Sequence, residues 1–235
     1  DGYRYNSGGG VCCGDDIDIS GSTTITGNRA EAGSGGGIYY KSSQIGEISG
    51  SVTITGNKAG YGAGGVTCAG PVAFSGQPTI TGNTAASEET SEDGTPKIVE
   101  VNVGVPDNAP LYIREGLSDG AKIGVTVYDY NSNKKYYRDG YFIYRNYPTL
   151  TSPVQFTRAE TDTSYYADSS QYFFSDNPNY GVRINSDDKY LELAPALTVT
   201  FNTQGGDLPL GASDTKTVVY GATYGELPTP TKSGF

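Results

Sequence analysis

The sequence predicts an all-β fold whose first part is a stack of repeated strands. Three observations predict it. A twelve-residue segment is written three times: ISGSTTITGNRA over 19–30, ISGSVTITGNKA over 48–59 and FSGQPTITGNTA over 74–85. Eight of its twelve positions are identical in all copies, which start 29 and then 26 residues apart. Glycine runs ending in Gly10-Val11, Gly37-Ile38 and Gly65-Val66 keep step with the copies. Composition agrees: 34 glycines and 20 tyrosines, no Trp, Met or His, and no long segment with helical periodicity. A period of this size marks units that cannot bury an apolar face alone and therefore stack.

Within each copy, Thr-Ile-Thr alternates with period two, the pattern of a strand with one face in and one out. Ile25, Ile54 and Ile80 are expected to point inward. Thr24, Thr53 and Thr79, with Thr26, Thr55 and Thr81, are expected to point outward. The Gly-Asn that follows ends the strand, because both residues tolerate the positive φ of a corner. Stacking at ~4.8 Å sets equal positions of successive copies into ladders. Asn28, Asn57 and Asn83 form one such ladder, with side-chain amides bonded along the stack. The expected architecture is a parallel β-helix. A leucine-rich repeat needs core leucines, and the first leucine here is Leu111. A propeller blade of ~40 residues does not fit the spacing, and no glycine run supplies the Asp of calcium-binding nonapeptides.

The glycine runs followed by a β-branched residue and the ITGN-x-A strands, over residues 8 to 85, resemble the right-handed β-helix regions of bacterial surface proteins of the adhesin and autotransporter kind. That resemblance implies a right-handed coil and an extracellular setting.

Aligning Gly10, Gly37 and Gly65 places Cys13, Tyr40 and Cys68 in one column, with Cys12 facing the other way. Cys13 and Cys68 are then two strand spacings apart, ~10 Å, beyond the ~7 Å Cα reach of a disulfide. No bridge between them is expected. Three cysteines without histidine do not make a zinc site; buried or half-buried thiols are expected. Asp15, Asp16 and Asp18 form the one acidic cluster of the repeats. Calcium could use their oxygens, and Asp16 with Asp18 could share a strand face as a glycosidic carboxylate pair. No basic column aligns with them, so a solvated turn is expected, with no catalytic, cofactor or metal residues. The net charge of −10 excludes a nucleic-acid surface, which needs basic patches. No apolar stretch of ~18 residues exists to span a membrane. The chain opens in mid-pattern at Asp1 without Met and without a signal peptide, so it is read as a processed piece of a longer protein.

Beyond the copies, residues 86–96 (ASEETSEDGTP) read as an acidic loop or link. Strands are expected over 97–105, 111–113 and 121–130, the last (AKIGVTVYDY) the strongest. NVGVPDNAPLYIREGLSDGAKIGVTV resembles the segment that follows the glycine-rich coils in many bacterial surface β-helices. With YFFSDNPNYGVRI (172–184) and KYLELA (189–194) as closing strands, the helix is expected to extend to about residue 195. The alternative is a small β-sandwich. Residues 128–190 hold twelve of the twenty tyrosines, with Phe142, Phe156, Phe173 and Phe174. Tyrosine loops such as 131–137 (NSNKKYY) and Tyr165-Tyr166 can contact sugars or proteins; otherwise the aromatics pack edges in a leucine-poor chain.

Residues 197–235 have a different texture. VTFNTQGG and TVVYGATYGELPTPTKSGF, at their separation, resemble the internalin-type B repeat, also called the Listeria–Bacteroides repeat. That family implies a small β-grasp-like module in secreted or wall-attached bacterial proteins. It continues past Gly234-Phe235 with a strand carrying a Gly-Trp pair, so the module here is expected to be incomplete, partly unpaired at one edge or completed by another chain. Three regions result: 1–95 of glycine-rich coils, 96–195 continuing them with tyrosine-rich loops, and 196–235 as the truncated B repeat.

The expected function is a non-enzymatic structural or adhesive segment of a bacterial extracellular or cell-surface protein. Expected partners are the chain itself, end to end or by strand exchange, or a host or extracellular glycan or protein. A carbohydrate-binding or carbohydrate-cleaving β-helix is the alternative. A remote third, from the paired threonine columns, is ice binding; only three ranks are present, and threonine is a good strand former on any wet face.

Overall fold

The computed structural model describes residues 8–106, 111–128, 136–138, 141–143, 153–158, 169–185 and 190–232. It is an all-β protein with parallel sheets. Strands are numbered in chain order.

Each copy of the repeat adds one strand to each of several parallel ladders. The first ladder holds β1 (Val11–Cys13), β5 (Ile38–Tyr40), β9 (Val66–Cys68) and β14 (Val103–Pro106). The second holds β2 (Asp18–Ile19), β6 (Gly46–Ile48), β10 (Val72–Gly76) and β15 (Leu111–Leu117). The third holds the Thr-Ile-Thr strands β3 (Thr24–Thr26), β7 (Thr53–Thr55) and β11 (Thr79–Thr81). A fourth is formed by β4 (Arg29–Ala30), β8 (Lys58–Ala59) and β12 (Thr84–Thr90).

Register follows the repeat without slip: Ile25 pairs with Ile54, and Ile54 with Ile80. All three side chains join Ile19, Ile38, Ile48, Val66 and Phe74 in one core cluster. Each such burial contributes about 1.5–3 kcal/mol. The flanking threonines face outward, exposed or half-buried. The corner after each strand is made by glycine, with φ of +69° at Gly27, +66° at Gly56 and +64° at Gly82. The asparagine that follows has no positive φ, so glycine alone carries the left-handed conformation expected of the pair.

β16 (Lys122–Tyr128) is longer than its counterparts and serves two ladders. Lys122 and Ile123 pair with Thr79 and Ile80, while Val125 to Tyr128 pair with Val103 to Pro106. Gly124 lies between the two halves. A Cβ there would strike the side chains of Asp176 and Asn102, so only glycine lets the strand run straight where the earlier copies turn a corner. β20 (Phe173–Ser175) then stacks on β16 in parallel, placing Phe173 over Ile123.

Three expectations need correction. Residues 86–96 are only partly a loop: β12 runs to Thr90 and returns through β13 (Pro96–Glu100) as an antiparallel hairpin, with 91–95 as its turn. The strand expected over 97–105 is broken at Val101-Asn102, where the chain re-enters the stack beside Gly64 to Val66. After Ser175 the pairing turns antiparallel. Asn177 accepts hydrogen bonds from the Asn179 and Tyr180 N–H groups and reverses the chain. β21 (Tyr180–Ile184) and β19 (Val154–Gln155) flank β22 (Leu191–Thr200). Leu191, Leu193 and Phe156 still belong to the main core, so this sheet closes its end. Phe156 and Phe173 have ring centroids 5.6 Å apart, and Phe173 meets Phe74 edge-on at 6.5 Å. These aromatics pack the core, as does buried Tyr128.

The boundary expected at 195/196 lies inside β22, whose second half pairs with β23 (Thr215–Val219). The remaining strands, β17 (Tyr136–Arg138) and β18 (Tyr141–Ile143), form an antiparallel pair. It includes part of the expected tyrosine hairpin; residues 131–135 and Tyr165-Tyr166 lie outside the described residues.

Candidate functional site

The structural centre of the stack is a column of side-chain amides. Asn28 donates its backbone N–H (2.9 Å) and its Nδ2–H (3.0 Å) to Asn57 Oδ1. Asn57 does the same to Asn83 Oδ1, at 3.1 and 2.9 Å. Asn83 repeats it to Asn102 Oδ1, at 2.9 and 3.0 Å. The second Nδ2 hydrogen points back one copy: Asn57 to the Ile25 carbonyl and Asn83 to the Ile54 carbonyl, both 2.9 Å. Asn57, Asn83 and Asn102 are fully buried, so an amide with both donor and acceptor capacity is what each rung needs.

The column ends on a carboxylate. Asp176 Oδ2 accepts from the Asn102 N–H and the Thr126 hydroxyl, both at 2.8 Å, and Oδ1 accepts from Asn102 Nδ2 at 2.6 Å. Glu100 also accepts from Asn102 Nδ2, at 2.8 Å, and from the Gly82 N–H, at 3.0 Å. A carboxylate only accepts, so a run of donors pointing one way terminates there. Asp176 is half-buried by surface area, but its carboxylate sits among buried Asn102, Thr126 and Gly124. Burial pushes its pKa up to about 6; hydrogen bonds from Asn102 and Thr126 oppose the shift, and nearby Glu100 adds to it. Repetition reveals the first three rungs. Nothing repeated marks Asn102 or Asp176.

The glycine runs line this column. A Cβ on Gly65 would stand 2.9 Å from Asn83 Nδ2, one on Gly10 2.9 Å from Asn28 Nδ2, and one on Gly37 3.1 Å from Asn57 Nδ2. Gly65→Ala is therefore expected to destabilise by about 1–3 kcal/mol, the usual cost of overpacking. Gly14→Ala, where the nearest atom to a Cβ is 3.9 Å away, is expected to be neutral. Urea denaturation of the two variants checks the contrast.

The cysteine column is as expected: Cys13 pairs with Tyr40, and Tyr40 with Cys68, so a tyrosine stands between the thiols. All three cysteines are free. Cys68 is buried, and burial pushes its thiol up to about 12. Cys13 is half-buried, whereas Cys12 is exposed rather than half-buried. Mass-mapped labelling of the native protein with a maleimide at pH 7 is expected to modify Cys12 first and Cys68 only after unfolding.

Asp15, Asp16 and Asp18 are all exposed. Asp15 and Asp16 lie outside strand structure before β2, so no shared strand face unites Asp16 with Asp18. Their next neighbour is Glu47, paired with Asp18; among the described residues no group of His, Cys, Asp or Glu is placed to hold a metal. The threonine column Thr24, Thr53, Thr79 ends at Lys122. Among the described residues no helix is long and apolar enough to cross a membrane. Large apolar side chains are exposed at Leu197, Leu210, Tyr220, Tyr224 and Leu227.

These features define an all-β protein of stacked parallel strands with an internal amide column. Compared with known proteins, the chain matches no family model, no curated protein and no solved structure.

Proposed function

We propose that the chain is a non-enzymatic structural and adhesive segment of a bacterial extracellular or cell-surface protein. In this reading residues 8–128 are a right-handed parallel β-helix acting as a stiff stalk, and residues 196–235 are an internalin-type B repeat. The observation that carries it is the in-register stacking of the three copies around a continuous amide column. Ladders closed both by backbone and by side chains resist bending, which suits a spacer. The likeness of the glycine-rich copies and of the last 39 residues to wall-associated families supports the extracellular setting. Binding then falls to the tyrosine-rich segments of the sequence and to the exposed Tyr220 and Tyr224 of the C-terminal segment. Contiguous exposed apolar groups are common marks of interaction. Partners are a glycan or protein outside the cell, or the chain itself, end to end or by strand exchange.

The test is a glycan and matrix-protein array probed with the full chain, beside a Tyr220→Ser/Tyr224→Ser variant and one altered at Tyr136-Tyr137 and Tyr165-Tyr166. Retained binding by the wild type and at least tenfold loss in one variant is the expected result. Turnover on a polysaccharide panel would replace this reading with the carbohydrate-cleaving one.

A further inference from the structure

We propose that Arg183 locks the C-terminal ribbon of β22 and β23 to the closing sheet, so that Tyr220 and the segment after it are carried in one fixed direction from the stack. Neither the adhesive reading nor a bound partner is needed for this.

One strand crosses the junction. The first half of β22 lies between β19 and β21, with Leu191 and Leu193 in the main core. Its second half, from Ala196 to Thr200, pairs with β23. A two-stranded ribbon has little stability of its own. The crossing residue is Pro195, paired with Tyr180. Proline has no N–H to give a ladder, so the backbone is least tied where the direction has to be set. A ribbon held by that strand alone would swing there.

Arg183 supplies the missing tie. Its Nε and Nη2 donate to Glu192 Oε2 at 3.0 and 2.9 Å, across the pair of β21 and β22. The two side chains are 17 % and 10 % exposed, so the ion pair is largely sheltered from water. The remaining arm, Nη1, donates to the Tyr220 carbonyl at 2.8 Å, one residue beyond β23. The Tyr220 N–H in turn donates to the Pro195 carbonyl at 2.8 Å. Tyr220 is thus held at both polar groups of its backbone, once by the crossing residue and once by the closing sheet. A guanidinium suits the task because its donors point in fixed directions from one plane, which those of an ammonium do not. Glu192 sets the plane, and the plane sets the ribbon.

Glycines make room for the contact. A Cβ on Gly221 would strike Arg183 Nη1, and one on Gly181 would strike the Val219 side chain. β21 and β23 therefore approach closely at the same place, where Val218 is buried.

The experiment measures the direction of the ribbon in the full chain. Spin labels are placed at Lys58→Cys on the stack and Thr217→Cys on β23, both exposed positions. Cys12 and Cys13 are replaced by serine, and buried Cys68 is left in place. With Arg183 present, a single narrow distance distribution is expected. Arg183→Gln keeps a donor for Glu192 but is too short to reach the Tyr220 carbonyl as well; it is expected to widen the distribution at least twofold. Gly221→Ala pushes the guanidinium off that carbonyl and is expected to do the same. Gly211→Ala imposes the same left-handed strain, at a φ of +83° against +73°, with nothing for its Cβ to strike; it is expected to leave the width unchanged. Slow amide exchange over 123–127 and 191–193 separates a loosened joint from an unfolded chain. Should Arg183→Gln lose that protection, Gly221→Ala decides. A broad distribution with Arg183 present overturns the proposal. So does an unchanged width in either folded variant, or equal widening by Gly211→Ala.

Discussion

Asn83→Ala is expected to lower the free energy of unfolding by about 3–5 kcal/mol, because each orphaned buried polar group costs about 1–3 kcal/mol. Asn83 is fully buried and joins the second copy, its own copy and Asn102 at once. Removing its amide strips the acceptor from the Asn57 N–H and Nδ2–H. It also strips the side-chain donor from the Ile54 carbonyl and one of two donors from Asn102 Oδ1, which keeps the Asn83 N–H. Asn83→Asp is expected to be at least as damaging, since a carboxylate cannot donate to Asn102 Oδ1 or the Ile54 carbonyl. Asn28→Ala removes the same side chain from a half-buried edge rung and is expected to cost about 1 kcal/mol, the ordinary net worth of a hydrogen bond. Urea denaturation measures all three. Equal losses at positions 28 and 83 would mean that the column is not what holds successive copies together.

The second large effect is a pH dependence that Asp176→Asn removes. The folded carboxyl, raised to about 6 by burial, holds its proton more tightly than the unfolded one at its ordinary 3.8. Its contribution to stability is therefore fully present below pH 3.8 and is lost as pH rises through about 6. A displacement of this size corresponds to about 2–3 kcal/mol at 1.36 kcal/mol per pH unit, with some allowance for solvent near the site. The groups around the carboxylate are Asn102, Thr126 and, as the one charged neighbour named among the described residues, Glu100. Asparagine at 176 cannot ionise and has the shape of the rungs before it. Across pH 3.5 to 7, the stability of wild type relative to D176N is expected to fall by about that amount. A constant difference between the two proteins over this range would place the carboxylate in contact with solvent instead.

Both effects act on one feature, and the parts of that feature were unequally visible in the sequence. Asn28, Asn57 and Asn83 each follow a Thr-Ile-Thr-Gly run, so stacking alone predicts their ladder. Asn102 precedes the strand β14 rather than following a threonine strand, and it enters the column only because the hairpin of β12 and β13 returns the chain there. Asp176 sits 74 residues further on. The glycine runs were visible as markers of period, but their reason was not. They lack side chains because the backbone of neighbouring strands lies against them, joined at Gly10, Gly37 and Gly65 by the amide column.

What the sequence determined by itself is everything that recurs one copy away. That covers the isoleucine column, the outward threonines, the glycine corners, the three asparagines, and Tyr40 between Cys13 and Cys68. Stacking converts an equal position in the next copy into a neighbour about 4.8 Å distant, so periodicity and contact are the same information. The tertiary structure alone decided where the repetition ends. It turned the acidic 86–96 segment into a hairpin, ran β16 across two ladders past Gly124, and closed the core with antiparallel strands and the Asp176 carboxylate. Those contacts join unlike residues far apart in the chain, and their cost or gain depends on which groups the fold has already left without partners.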